Sequence, residues 1–161
     1  MFVDYEYYTN SFGGTSLTEE EFNKYAENAC MKITTSTLSR VTDSTINGYP
    51  SELVTRIKNC ACSLSEWEQK FDKALNTLSN GITDGIAKSK SAGAVSVTYD
   101  TSFSLNYLLD TQNQSKIVNS VINSYLAPIC INGTFYNLLS KVLSSPKNTN
   151  CSINLSNGVC C

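Results

Sequence analysis

Residues 51–80, SELVTRIKNCACSLSEWEQKFDKALNTLSN, hold the most regular hydrophobic pattern in the chain, and this pattern decides the fold class. Apolar residues recur at alternating spacings of three and four for about seven turns, as on one buried face of a helix. Pro50 stands just before the pattern, and Gly81 and Gly85 follow it. We therefore predict a long central helix from Ser51, whose face comprises Leu53, Ile57, Cys60, Leu64, Trp67, Phe71, Ala74 or Leu75, and Leu78.

Two shorter helices are predicted on either side of the central one. Thr18 and Glu21 have the spacing of a capping box, and the helix that they start ends near Arg40. A third helix is predicted from Gln114 until Pro128 stops it. The apolar stripe of the first comprises Phe22, Tyr25, Ala26, Ala29, Cys30 and Ile33, and that of the third comprises Ile117, Val118, Val121, Ile122, Tyr125 and Leu126.

These patterns predict an all-α fold, a small bundle of three to four helices with one long central helix. Residues 1–145 form the helical domain, in which residues 81–112 are a loop or arm with a short β-strand or hairpin. Residues 146–161 have no core pattern and are predicted to form an extended C-terminal tail rich in Cys, Asn and Ser. The predicted core contains Phe22, Ile33, Leu53, Ile57, Leu64, Trp67, Phe71, Leu78, Val121 and Tyr125.

The stretch AVSVTYD at residues 94–100 alternates like a strand. Val95, Val97 and Tyr99 lie on one side of it, and Ala94, Ser96 and Thr98 on the other. A short strand in a helical chain must pair with a neighbouring loop segment, pack as an extended arm, or pair across a subunit boundary. Further along, the Asn-Gly pair at 132–133 predicts a turn followed by a short segment from Thr134 to Leu143.

The N-terminal segment is rich in aromatic residues, with Phe2, Tyr5, Tyr7 and Tyr8 close together. Such side chains pack on the surface of their own domain or anchor an arm against an adjacent subunit. The opening MFVDYEYYTN has acidic residues where a signal peptide has basic ones, and no later stretch approaches the length of a membrane span. We therefore expect a soluble protein that is made in the cytoplasm, with no membrane partner.

Seven cysteines and four N-x-S/T sequons, at Asn113, Asn132, Asn150 and Asn154, suggest a second class of protein. A cysteine-rich secreted or surface glycoprotein domain stabilised by disulfides is the alternative reading. The cysteine count is odd, however, and sequons arise by chance in a chain crowded with Asn, Ser and Thr. Buried cysteines that act as small apolar side chains explain the same residues.

Catalytic and metal chemistry have little support in the sequence. The chain has no histidine, which is the commonest general base and metal ligand. Cys60 and Cys62 are two residues apart on the predicted helix and do not converge on one metal. Cys151, Cys160 and Cys161 could bind a metal or bridge subunits, but they lack the C-x-x-C spacing of a zinc site. We expect no enzyme, no cofactor and no metal.

The net charge of −2, from 12 basic and 14 acidic residues, argues against a protein that binds nucleic acid through clustered Lys and Arg. No Walker or dinucleotide-binding glycine pattern is present either.

Five motifs in order carry a resemblance to a known family: VDYEYYTNSFGG at 3–14, LTEEEFNKYAENACMKI at 17–33, VTRIKNCACSLSEW at 54–67, GAVSVTYD at 93–100, and KIVNSVINSYLAP at 116–128. Together they resemble the head-tail connector family of tailed bacteriophages, also called head completion or adaptor proteins. The resemblance covers roughly residues 3 to 130. From residue 127 the chain reads APICINGTFYNLL, which departs from the family pattern.

The resemblance implies an all-α structural protein of the virion neck, made in the cytoplasm of a host bacterium. Twelve copies form a ring under the portal protein, join the DNA-filled head to the tail, and extend the channel through which genomic DNA passes without sequence-specific binding. The loop at 81–108, with Val95, Val97 and Tyr99, meets the neighbouring subunit or the next neck or stopper protein on the tail side. Residues 129–161 reach the portal, through Ile129, Ile131, Phe135, Tyr136, Leu138 and Leu139.

Overall fold

A computed structural model of the chain describes residues 1–84, 89–92, 95–98 and 107–139. Tyr99, the side chain of Leu78, the sequons at Asn150 and Asn154, and the predicted tail at 146–161 lie outside the described part. The elements in chain order are α1 (Tyr5–Tyr7), a π-helical turn (Tyr8–Phe12), α2 (Glu19–Ser36), a 3-10 turn (Ile46–Gly48), α3 (Ser51–Asp84), β1 (Ser89–Ala92), β2 (Val95–Thr98), α4 (Thr111–Leu126), β3 (Ile129–Ile131) and β4 (Thr134–Tyr136).

Helix α2 begins as predicted and ends earlier than predicted. The Thr18 hydroxyl accepts from the Glu21 N–H, and the Glu21 carboxylate accepts from the Thr18 N–H at 3.0 Å, which confirms the capping box. The helix ends at Ser36 instead of near Arg40, since Leu38 and Ser39 have positive φ values of 53° and 60°. The Thr37 hydroxyl donates to the Ile33 carbonyl at 2.8 Å, an example of how threonine competes with the helical ladder.

Helix α3 is the long central helix, and it begins at Ser51 as predicted. It is buried on two faces instead of one. Six residues of the predicted stripe are buried, namely Leu53, Ile57, Cys60, Leu64, Phe71 and Ala74, whereas Leu75 is exposed. On the second face, Ala61, Cys62, Ser65 and Gln69 are also buried. At about 100° per residue, Cys62 lies about 200° round the helix from Cys60. It is nevertheless fully buried, because the N-terminal segment covers this second face.

Helices α2 and α4 both pack on α3, and each runs antiparallel to it. Lys24, early in α2, binds Asp72, late in α3, with 3.1 Å between Nζ and Oδ2. Arg56, early in α3, donates from Nε to the carbonyl of Tyr125, late in α4, at 2.7 Å. The start of α4 lies at Thr111 instead of Gln114, because the Asp110 carboxylate accepts from two N–H groups of the first turn.

The predicted core is largely buried. Phe22, Ile33, Leu53, Ile57, Leu64 and Phe71 all lie inside. Val121, Tyr125 and Trp67 differ from the prediction, because they are half-buried at the edge. The Trp67 ring keeps one side toward the solvated ammonium of Lys70, 4.3 Å from the ring centroid.

The N-terminal segment is part of the core. The sequence predicts that its aromatic side chains pack on the domain surface, and they are buried more deeply than that. Phe2 and Val3 are buried, and the Tyr8 ring is fully buried and stacks on Phe22 with 4.8 Å between centroids. Glycine is required at position 14, because a Cβ there would lie 2.0 Å from Cε2 of Tyr8. This segment is therefore not a free arm, which removes the second reading of its aromatic residues.

Two short antiparallel ribbons complete the described chain. In the first, β1 pairs with β2 so that Ser89 is opposite Thr98 and Ala92 is opposite Val95. The strand predicted at 94–99 thus pairs with a neighbouring segment, the first of the three alternatives. In the second ribbon, β3 pairs with β4 around Asn132 and Gly133, whose φ values of 49° and 77° confirm the predicted turn. The fold is the predicted all-α bundle with one long central helix and short β-hairpins.

Candidate assembly surface

The first ribbon, β1 with β2, contains two of the residues predicted to meet a neighbouring subunit. Val95 and Val97 lie in β2, where the register places them opposite Ala92 and Lys90. Tyr99 follows β2 directly and lies outside the described residues. The pairing of β1 with β2 is the hairpin that was predicted as the alternative to a single strand. The sequence Gly93-Ala94 between the two strands, with glycine first, is typical of a hairpin link and is the local signal for β1.

The first ribbon has little to hold it against the rest of the described chain. Its two strands contact each other extensively, and neither makes extensive contact with any other described helix or strand. The sheet has only these two strands, so within the described residues each strand has one edge without a backbone partner. Open strand edges are the usual places where another chain adds a strand.

The second ribbon, β3 with β4, and the residues after it contain the six side chains predicted to face the portal. The exposure of these side chains differs from one to the next. Ile131 and Leu138 are buried, and Ile129, Tyr136 and Leu139 pack half-buried against the same core. Only Phe135 among the six is exposed, with 47% of its surface accessible. Five of the six side chains therefore pack against the chain's own core, and Phe135 is the exposed one.

Hydrogen bonds and a ring contact hold the second ribbon to the helical body. Arg40 donates from Nη1 to the carbonyls of Asn137 and Leu138, both at 3.2 Å. The rings of Tyr49 and Tyr136 meet edge to face at 6.4 Å, and the Tyr49 hydroxyl donates to the Arg40 carbonyl at 2.9 Å. The loop between α2 and α3 therefore anchors the chain beyond β4.

Two open grooves flank the exposed side of α2. One, of about 540 Å³, separates α2 from α4, and the ion pair of Lys32 with Glu68 lies in it. The other, of about 580 Å³, lies between α2 and the N-terminal residues and includes Cys30. Met31 lines both grooves and is 60% exposed, so it forms an apolar ridge between them.

The cysteines of the described chain are thiols without disulfide partners. Cys30, Cys60 and Cys62 are buried, and Cys130 is half-buried in β3. Burial raises the pKa of both Cys60 and Cys62 to about 12. Burial also raises the pKa of Cys30. Thiols of this kind stay protonated at neutral pH and are poor nucleophiles.

Charged groups on the body form structural contacts. The Tyr25 hydroxyl donates to the Asp72 carboxylate at 2.6 Å, and this bond, together with Lys24, lowers the pKa of Asp72. The backbone N–H of Thr18 lowers the pKa of Glu21. Across the residues that the structure describes, no three His, Cys, Asp or Glu side chains come together as metal ligands. The charged groups named here therefore make contacts within the chain that hold its helices together.

No helix among the described residues is long and apolar enough to cross a membrane. No model of a protein family, no curated protein and no solved structure matches this chain.

Proposed function

We propose that this chain is a structural subunit of a bacteriophage head-tail connector. In this role, twelve copies form a ring under the portal protein, bind a neck or stopper protein on the tail side, and surround the path of the genomic DNA. The protein is made in the bacterial cytoplasm and ends in the neck of the virion. The observation that most supports this proposal is a two-stranded ribbon whose outer edges have no backbone partner among the described residues, and which follows a long central helix after four residues of sequence.

The helix that precedes the ribbon in the chain is much longer than the other helices of the described residues. Helix α3 has 34 residues and is therefore about 51 Å long, whereas α2 has 18 and is about 27 Å long. The α2 residue Lys24 pairs with Asp72, so the last turns of α3 extend past the start of α2. Such a rod suits a subunit that must contact a neighbour at a fixed distance from its own core.

The order of the five sequence motifs supports the same proposal, and so does the net charge of the chain. A net charge of −2 fits a channel wall along which DNA slides, because a wall rich in Lys and Arg would bind the phosphates. The exposed Phe135 on the second ribbon is the side chain that we assign to the portal contact.

The alternative, a secreted glycoprotein with disulfides, has a direct test. Protein prepared without reductant and then denatured should show seven free thiols if the chain is a connector subunit. Fewer free thiols, with intramolecular disulfides located by peptide mass spectrometry, would favour the alternative. The four described cysteines, of which three are buried, support the connector.

The connector proposal is tested by deleting the gene from a phage genome that carries it. We expect DNA-filled heads and free tails that do not join, and normal virions when the wild-type gene is restored. Complementation with Gly48→Ala, which has open space around its Cβ, serves as the matched control and should restore tailed virions. Intact tailed virions without the gene would refute the proposal.

A further inference from the structure

Phe135 is exposed because of its place in β4, where successive side chains lie on opposite faces of the ribbon. Tyr136, the next residue, packs half-buried against the core, and the register pairs it with Ile129, which packs there as well. Phe135 is paired with Cys130 and lies on the opposite face, with 47% of its surface accessible. The outward direction of the Phe135 ring is therefore fixed by the contacts that hold Tyr136 against the core.

The loop between α2 and α3 provides these contacts. The rings of Tyr49 and Tyr136 meet edge to face, with 6.4 Å between their centroids. The Tyr49 hydroxyl donates to the Arg40 carbonyl at 2.9 Å, and the Thr45 hydroxyl donates to the same carbonyl at 2.8 Å. Two hydroxyl donors on one carbonyl fix the backbone of the loop at Arg40, so the Tyr49 ring is held where it meets Tyr136.

The side chain of Arg40 ties the same loop to the chain directly after β4. Its Nη1 donates to the carbonyls of Asn137 and Leu138, both at 3.2 Å. Hydrogen bonds from a charged guanidinium are stronger than those between neutral groups. A ribbon of three residue pairs is marginally stable in water without such support. Arg40 therefore holds β4 in one arrangement, both through its carbonyl and through its guanidinium.

We infer that Arg40 is a positioning residue for the contact that Phe135 makes with the portal, and this inference rests on the proposed function. The surface that receives an exposed aromatic ring is an apolar pocket on the partner. Aromatic anchors of this kind carry a large part of the free energy of binding. A ring that is already held in its bound direction loses little conformational freedom on binding, so the support from Arg40 increases the affinity.

Binding of the full-length chain to the portal protein of the same phage tests this role, with the dissociation constant measured by isothermal titration calorimetry. Phe135→Ala removes the ring, Arg40→Met removes the hydrogen-bond donors but keeps an unbranched side chain, and a third variant combines the two. Tyr49→Phe removes only the hydroxyl bond to Arg40 and gives the same comparison if Arg40→Met does not fold. Lys32→Met is the matched control, because this cation pairs with Glu68 instead of holding the second ribbon. Circular dichroism shows which variants are folded.

We expect Phe135→Ala to weaken portal binding about tenfold or more. Arg40→Met should weaken it several-fold and Tyr49→Phe by less, whereas Lys32→Met should bind like the wild type. In the Phe135→Ala background, Arg40→Met should have almost no further effect, because a positioning residue acts only through the ring that it positions. A loss that reflected only a less stable fold would multiply with the loss from Phe135→Ala.

Two results would overturn the inference while Phe135→Ala binds weakly. One is wild-type affinity for both Arg40→Met and Tyr49→Phe, and the other is a double variant whose loss is the product of the two single losses. Wild-type affinity of Phe135→Ala would remove the contact itself, and with it the role of Arg40. The gene deletion decides the connector function separately, since tailless heads together with any of these results would refute the positioning role alone.

Discussion

The N-terminal segment and the first ribbon are both short stretches that the sequence predicts could serve as arms, yet they differ in how they contact the rest of the described chain. The N-terminal segment fills a second face of α3, with Tyr8 fully buried. The first ribbon makes its main contacts within itself. The difference teaches that large aromatic side chains beside a long helix pack into the chain's own core. The small strand residues of the first ribbon make few contacts with the rest of the described chain.

The partners of the N-terminal segment explain its position. The Tyr8 hydroxyl donates to the Glu66 carboxylate at 2.9 Å and accepts from the Ser16 N–H at 3.1 Å. The Gln69 side chain donates to the Ser16 carbonyl at 3.3 Å. These hydrogen bonds pair the polar groups that burial would otherwise leave without partners. Burial of the aromatic rings therefore stabilises the fold without a large cost for desolvating the hydroxyl group.

The largest expected effect is that of Gly14→Ala. The new Cβ would lie 2.0 Å from Cε2 and 2.1 Å from Cζ of Tyr8, whose ring has no room to move because it is fully buried. We expect a loss of about 3 kcal/mol or more in the free energy of unfolding, measured by urea denaturation. Gly48→Ala is the control and should be near neutral, since nothing lies within 4 Å of its Cβ. Equal stability of the two variants would show that the segment is not packed as described.

The second effect is alkaline destabilisation through Cys62, which the N-terminal segment helps to bury. Its pKa is raised to about 12, mainly by burial, so the fold favours the neutral thiol. The stability from this group is complete below the ordinary thiol pKa of the unfolded chain and is lost as the pH rises from there toward 12. We expect a loss on the order of 1 kcal/mol at pH 10 from this thiol. Urea denaturation at pH 7 and pH 10 measures it.

Cys62→Ala separates this effect from other titrations. The variant loses some stability at every pH because it leaves a small cavity. Its stability should fall less between pH 7 and pH 10 than that of the wild type. Cys130→Ala is the control, because this thiol is only half-buried in β3. An identical pH dependence in wild type and Cys62→Ala would contradict the prediction.

Much of the fold followed from the sequence, because the helices depend on local patterns. The capping box at Thr18, the start of α3 after Pro50 and the Asn-Gly turn are all set by neighbours along the chain. The second buried face of α3 did not follow, since Ser65 and Gln69 become buried only when the N-terminal segment folds back on them. Helical periodicity describes one element at a time and gives no sign of such a distant contact.

The candidate site was only partly predictable for a similar reason. Val95 and Val97 have the alternation of a strand, which is a local signal, and they do lie in one. The residues predicted to face the portal were apolar, and apolarity alone does not distinguish a surface for another protein from the chain's own core. Ile131 and Leu138 belong to the core, whereas Phe135 is exposed. Only the placement of β3 and β4 separates them.

The third effect is that of Tyr8→Phe, which keeps the ring but removes its hydroxyl. We expect a loss of about 1 kcal/mol, because the hydroxyl bonds to Glu66 and Ser16 are lost while the stacking on Phe22 remains. Tyr7→Phe is the matched control. The Tyr7 hydroxyl donates to Asn59 at 3.0 Å at a more open position, so its loss should cost less. A larger loss for Tyr7→Phe would reverse our ranking of the two contacts.

The smallest expected effect on stability is that of Val97→Asp in the first ribbon. The ribbon has no extensive contact with another described element, so a charge there should change the free energy of unfolding by less than about 0.5 kcal/mol. Ile131→Asp, in the second ribbon, places a carboxyl group at a buried position and should cost about 2 kcal/mol. Urea denaturation of both variants at neutral pH makes the measurement. If Val97→Asp is as damaging as Ile131→Asp, the first ribbon belongs to the core, and the distinction between the two ribbons fails.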